Sequence, residues 1–304
     1  METSTSLTPQ EVAVTLKIAK NTVYELIKRG ELSAYRVGKK IRVDLEDVYS
    51  YKDRKKSINT SPCLKEFSAE KGFVICGQDI ILDILLRHLE QHPKGIRATR
   101  SYTGSYNGLS ELYRGNVQVV AAHIWDSETG QYNLPYIRKI LPGIPCVVIH
   151  LATQLQGFYV FKGNPKGIRN WEDLKRSDLT MVNREIGSGT RILLDEHLIR
   201  LGLTGKNIRG YFKECTSHLS AASAVARGEA DFALGNENTG FQVNGIDFIP
   251  LQATRYELII RKEDISKPPC EAIIEILCSQ EFKAELGGIG RYDLKETGKI
   301  IFDM

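Results

Sequence analysis

After Gly72 the chain repeats one unit: a short apolar run of strand character, a turn of Gly, Ser, Thr, Asn or His, and then a helical pattern. Phe73–Cys76 leads through Gly77-Gln78-Asp79 into Ile80–Leu89, and Ile96–Arg100 leads through Ser101–Ser105 into Asn107–Tyr113. Val117–Ala122 ends at His123. The rhythm resumes with Phe158–Phe161, the short helix Trp171–Leu174, and Leu179–Val182 running into Asn183–Arg191. Thr216-Ser217-His218 opens the helix Leu219–Ala226, Asp231–Leu234 runs into Gly235-Asn236-Glu237, and Phe248–Leu251 follows. Alternation of strand and helix demands an α/β architecture with largely parallel sheet. Ligands of such sheets sit at the carboxyl ends of strands, where these turns lie, so turns facing one another would form a cleft rich in N–H and O–H donors.

The strongest of the turns is Asn183-Arg184-Glu185-Ile186-Gly187-Ser188-Gly189-Thr190-Arg191, directly before Ile192–Leu198. Small and hydroxyl-bearing residues at a helix mouth leave unpaired backbone N–H groups at the positive end of the macrodipole, a ready anion site. The same residues also make an ordinary glycine-containing loop with a Ser/Thr N-cap.

Charge is unevenly placed. Residues 1–60 hold 12 Lys/Arg against 8 Asp/Glu, and the remainder holds 29 of each, so the net +4 belongs to the front. A basic module before a neutral one points to nucleic acid at the front and another task behind. The 42% hydrophobic and 26% charged content is that of a globular protein. No apolar run reaches a membrane span and the N-terminus lacks a basic-then-apolar leader, so a cytoplasmic chain without a membrane partner is expected. Six cysteines without a CxxC pair indicate reduced thiols, neither a disulfide framework nor a zinc site.

Within residues 1–56, Thr8, Pro9 and Glu11 form a capping box with proline at the first helical position. A second helix, Asn21–Arg29, ends at Gly30, and two β-rich runs, Leu32–Val37 and Ile41–Val43, flank the basic turn Gly38-Lys39-Lys40. Asp44 caps a further helix to about Lys56, and residues 57–71 read as a linker. Lys20, Asn21, Thr22, Tyr24 and Lys28 start and line the second helix, placed for base edges and phosphates of double-stranded DNA; Lys39, Lys40 and Arg42 in the hairpin are placed for phosphate or minor-groove contact.

The string LTPQEVAVTLKIAKNTVYELIKRGELSAYRVGKKIRVDLEDVYSYKD resembles the excisionase-type or MerR-like winged helix-turn-helix. A second set resembles the type II periplasmic-binding-protein-like domain that some bacterial regulators carry behind such a module: TGSYNGLSELYRGNVQVVAAHIWDSETGQYN, QGFYVFKGNPKGIRNWEDLKRSDLTMVNREIGSGTRILLDEHL, TSHLSAASAVARGEADFALG and DFIPLQATRYELII. That resemblance implies a ligand-sensing domain over 72–304, with lobe 1 about 72–154 plus 255–304 and lobe 2 about 155–254. It implies a molybdate- or tungstate-type oxyanion as effector, with no other cofactor. Thr103, Gly104, Ser105, Ser188, Gly189, Thr190, Thr216, Ser217 and Tyr256 would donate hydrogen bonds, with His123, Arg184, Arg191 and His218 nearby. Gln78 stands where the family usually places a serine, which puts a hydroxyl contact there in doubt.

The residues alone leave alternatives: two arginines could clamp an organic carboxylate, or pair structurally with Glu185 and Asp195. No GxSxG, HExxH or P-loop is present, so binding with allosteric readout is expected in place of catalysis. His88 and His92 share a helix face but lack a third metal ligand, and Trp125 and Trp171 are expected to pack. A homodimer is expected, since one small head makes few specific DNA contacts.

Overall fold

The computed structural model describes residues 6–30, 32–38, 40–45, 47–49, 51 and 72–303. Contacts divide the chain between Ser68 and Ala69. Among the described residues no helix is long and apolar enough to cross a membrane.

In the front unit, α1 (Pro9–Leu16) starts from the Thr8 capping box, in which Glu11 N donates to Thr8 Oγ1 and Thr8 N donates to Glu11 Oε2 at 2.7 Å. Two orphan N–H groups are thereby satisfied reciprocally. Lys17 in the left-handed region ends α1, and α2 (Lys20–Lys28) follows after the extended Ala19, as the helix-turn-helix reading requires. Gly30, at φ +71°, closes α2 where a side chain would be strained. Val12, Ala13, Val23, Leu26, Leu32, Val43 and Val48 form the core. The hairpin pairs β2 (Tyr35–Val37) with β3 (Lys40–Asp44), and β3 also takes an unforeseen partner, β1 (Ser6–Leu7).

The rear unit is built on one nine-stranded sheet. Its first half holds β4 (Phe73–Cys76), β5 (Ala98–Ser101) and β6 (Val119–Ala122), mutually parallel about β4. Its second half holds β8 (Met181–Arg184), β9 (Glu214–Cys215) and β10 (Phe232–Asn236), parallel about β8. Between them run β7 (Cys146–Phe161) and β11 (Ile246–Arg261), two 16-residue antiparallel strands that pass through both halves, while β12 (Ile300–Asp303) pairs with β7. The short strands expected at Phe158–Phe161 and Phe248–Leu251 are thus pieces of longer ones, and the sheet mixes parallel wings with an antiparallel centre. Gly157 permits the continuity: a Cβ there would lie 2.0 Å from the Ile249 carbonyl oxygen. The element expected at Trp171–Leu174 is a 3₁₀ turn, Trp171–Lys175.

Helices cover both faces. Leu82, Leu85 and Leu89 of α3 (Ile81–Gln91) repeat at helical spacing and bury completely against β4, β6, β7 and the C-terminal helices α9 (Pro268–Cys278) and α10 (Gln280–Ile289). Each such leucine contributes roughly 1.5–3 kcal/mol of burial. On the other face, α4 (Ser105–Tyr113) and α5 (Leu134–Ile140) cover the first half. In the second half, α6 (Gly189–Arg200) lies against β8 and β10, and α7 (His218–Ala226) packs Ala221, Ala222, Ala224 and Val225 on Tyr159 and Val182. The short α8 (Glu237–Gln242) follows β10. Trp125 and Trp171 both stack on His197, at 4.7 and 3.7 Å. His88 and His92 face different carboxylates, Glu285 and Glu275.

Candidate ligand-binding site

In the front unit, Val23 and Leu26 turn one face of α2 inward. The opposite face therefore carries Lys20, Asn21, Thr22, Tyr24 and Lys28 in solvent, with Lys40 exposed and Arg42 half-buried on the hairpin. Lys39 lies outside the described residues.

In the rear unit the turns of the two halves meet at the carboxyl ends of their strands. Tyr106 N donates to Gly187 O at 3.0 Å, and Asn107 Nδ2 donates to Ile186 O at 3.2 Å. Gly104 and Gly189 make this approach possible. A Cβ on Gly104 would lie 2.7 Å from both Gly187 O and Ser188 Cα, and one on Gly189 would lie 2.7 Å from the His123 ring. That ring stacks on Tyr256, centroids 4.3 Å apart, while His123 N donates to Ser105 Oγ at 3.3 Å.

Arg184, at the end of β8, is 1% exposed. Nε and Nη2 donate to the two oxygens of Glu185 at 2.9 Å each, and Nη2 also donates to Gln78 Oε1 at 2.6 Å, from the opposite half. Gln78 Nε2 completes the loop by donating to Glu185 Oε1 at 2.7 Å. Nη1 has no partner among the described residues, and neither do Thr190 Oγ1, His218 Nδ1, Gln154 Oε1, Gln156 Oε1 or Thr254 Oγ1, all buried. Buried polar atoms are normally bonded to protein or to ordered water, so these are donors and acceptors still to be satisfied.

Residues 86–278 match the PBP superfamily domain. The chain belongs to the PBP superfamily. Residues 6–56 match a helix-turn-helix domain, so this member joins a helix-turn-helix to the PBP-type unit. It is 42% identical to the Bacillus subtilis (strain 168) protein YvgK over 313 aligned residues, covering 100% of both chains. Among solved structures it is similar to a Corynebacterium glutamicum OxyR mutant with bound H2O2 (TM-score 0.52, 15% identity, 93% of this chain and 92% of that one). It is also similar to a putative phosphate ABC transporter substrate-binding protein with bound phosphate from Clostridium perfringens (TM-score 0.53, 14% identity, 71% and 96%).

Of the residues expected at the site of this PBP superfamily member, the fold gathers Gly104, Ser105, His123, Arg184, Ser188, Gly189, Thr190, His218 and Tyr256 around the seam. Ser188 caps α6, its Oγ accepting from Arg191 N at 3.2 Å. Four of the expected residues make other contacts or lie elsewhere in this fold. Arg191 turns away: Nη1 donates to Arg184 O at 2.9 Å and faces Glu214, Nε faces Asp195, and the guanidinium lies 4.1 Å over the Tyr211 ring. It braces the backbone of Arg184. Ser217 caps α7 and spends its hydroxyl on Ser220, Thr216 is exposed, and the Thr103 hydroxyl is bonded to Ser101 Oγ at 2.9 Å.

Several wall residues were not anticipated. Asp79 accepts from Ile81 N, Tyr292 Oη, Gln154 Nε2 and, at 3.5 Å, Asn236 Nδ2, so its carboxylate ties both halves and the C-terminal segment together and has no lone pair left for a ligand. Tyr159 Oη donates to Asn236 O at 2.7 Å. The signal for Gln154 and Gln156 was legible: two amides at alternate positions in a β-rich run share one face of a strand.

Burial, aided by the Arg184 guanidinium, pushes the His123 imidazole down to about 3 and His218 well below its usual range; both rings are neutral donors or acceptors at pH 7. The neutral folded form binds no proton where the unfolded chain does below pH about 6.5. The stability His123 contributes is therefore complete above that value and is lost as pH falls toward 3, and His218 acts in the same direction. Urea titrations at stepped pH should show it, and His123→Gln should flatten the slope below pH 6.

Proposed function

We propose that this chain is a ligand-responsive, DNA-binding transcription regulator whose PBP-type unit holds a small anion, a tetrahedral oxyanion such as molybdate or tungstate, between its two halves. The observation that carries the reading is the buried Arg184 with Nη1 unpartnered. A buried guanidinium nitrogen without a partner is costly, and an anion would satisfy it. Glu185 neutralises much of the Arg184 charge, and Thr190 and two neutral histidines add donors without adding charge. This set suits a compact, strongly solvated anion recognised by dipoles as well as by charge. The phosphate held by the C. perfringens protein of similar fold points in the same direction.

In this reading the front module grips phosphates and reads base edges through α2, a homodimer presents two heads to two half-sites, and the anion biases a pre-existing equilibrium between open and closed halves. No bond is made or broken, and the chain is a binding protein, not an enzyme.

Calorimetry with molybdate, tungstate, sulfate and phosphate should give at least one dissociation constant in the micromolar range or below, about −8 kcal/mol or stronger. No heat from any of them would sink the oxyanion reading. For the front module, operator affinity should fall steeply with salt, and Lys40→Ala or Arg42→Ala should each reduce the log–log slope by about 1. An unchanged slope would remove those residues from the phosphate contacts.

A further inference from the structure

Gln78 stands at the turn after β4, in the opposite half from Arg184, and its amide closes a three-membered ring of hydrogen bonds with Arg184 and Glu185. Its orientation is fixed by chemistry: Arg184 can only donate and Glu185 only accepts, so Oε1 must face the guanidinium and Nε2 the carboxylate.

A guanidinium presents two forks to planar acceptors, the side edge formed by Nε and Nη2 and the end edge formed by Nη1 and Nη2. Glu185 fills the side edge, with both contacts at 2.9 Å. The second Nη2 hydrogen goes to Gln78 at 2.6 Å, so the end edge is closed as a fork. Nη1 alone remains.

We propose that Gln78 is a specificity-determining residue of this site: by occupying Nη2 of Arg184 it leaves a single-nitrogen contact, which favours tetrahedral oxyanions over planar carboxylates. A carboxylate gains most from two parallel bonds to one fork, and Nη1 alone cannot supply them. A tetrahedral oxyanion loses little, because its oxygens diverge and each can take a single donor, such as Nη1, Thr190 Oγ1 or His218 Nδ1, all buried and without a partner among the described residues. This inference rests on the anion reading of Arg184 and adds the choice between anion shapes. It also gives the residue that departs from the family's usual serine a task that a serine, too short to reach across the seam, could not perform.

The test is calorimetry on the full chain with molybdate and sulfate as tetrahedral probes and acetate and oxalate as planar ones, comparing wild type with Gln78→Ala. The wild type should prefer a tetrahedral probe, and Gln78→Ala, by freeing the end fork, should reduce the ratio of tetrahedral to planar affinity at least tenfold. If all affinities fall by a common factor and the ratio holds, Gln78 merely ties the halves together and the proposal is wrong. Gln78→Met, of similar volume but without hydrogen bonds, repeats the comparison should the alanine variant melt early by circular dichroism. If the wild type binds neither these four probes nor tungstate or phosphate, the anion reading of Arg184 fails and this proposal falls with it; binding with an unaltered ratio overturns this proposal alone.

Discussion

On the proposed oxyanion reading, Arg184→Ala should lower effector affinity by at least two orders of magnitude, a loss of about 3 kcal/mol, measured by calorimetry with whichever oxyanion the wild type binds. The size follows from burial. The guanidinium is almost wholly enclosed, and removing it strips the ligand of its one cationic partner while leaving the Glu185 carboxylate without its own. Burial by itself would raise the Glu185 carboxyl, and Arg184, helped by Gln78, overrides this to hold it below its ordinary value. Without the arginine, Glu185 becomes an uncompensated charge beside the incoming anion and repels it. Arg184→Lys should recover only part of the affinity, because a compact ammonium restores charge without the donors that hold Glu185 and Gln78 in place. Affinity within threefold of wild type in the alanine variant would exclude Arg184 as the ligand's partner.

Gly104→Ala should leave each half folded and hold the two apart. The backbone at Gly104, φ −65° and ψ 161°, suits alanine as well as glycine, so the added methyl meets an obstacle only across the seam. That obstacle is Gly187 O and Ser188 Cα, both backbone, with no flexible side chain to swing aside. The closed arrangement is then scarcely populated, and apparent affinity falls in proportion to its population, by a factor of about 100 if closure drops to the one-per-cent level. Small-angle scattering should show no compaction on adding the oxyanion, and operator affinity should cease to respond to it. A melting temperature within a few degrees of wild type would separate this outcome from simple unfolding, and undiminished effector binding would show that closure at this contact is not required.

The features most readable in the sequence are those set by neighbours along the chain. The Thr8 capping box, the glycine that ends α2 and the Ser188 cap of α6 all follow from residues three or four apart, and all three appear in the fold. The alternation of strand and helix likewise announced the parallel wings of the rear unit. What resisted reading is set by tertiary neighbours. Arg184 and Arg191 are one helical mouth apart and chemically the same, yet one is held at the seam by Gln78 and the other is drawn off by Asp195, Glu214 and Tyr211. Nothing local distinguishes them. Asp79 lies one residue beyond the turn position flagged as unusual, but its four partners come from positions 81, 154, 236 and 292, an arrangement only the folded sheet creates. The long central strands read as short pieces: Gly157 looks like punctuation ahead of Phe158, and nothing local shows that Phe248–Leu251 runs on past the irregular register between Pro250 and Gln252; in the fold Gly157 sits where the paired strand leaves no room for a side chain.

The path of β11 also has a bearing on how the chain is born. Strand β6 pairs with β4 on one side, but its other edge waits for Leu258–Ile260, made more than a hundred residues later. A growing chain therefore completes the strands β8, β9 and β10 while Val119 and Val120 still lack their cover, along with α9 and α10, which come later still. During translation the half whose turns include Gln78 and Gly104 is the last to be sealed, with an open strand edge and bare apolar surface exposed to aggregation in the interval. Early termination near residue 250 would release a polypeptide whose second half is largely assembled and whose first half still has an open strand edge and bare apolar surface.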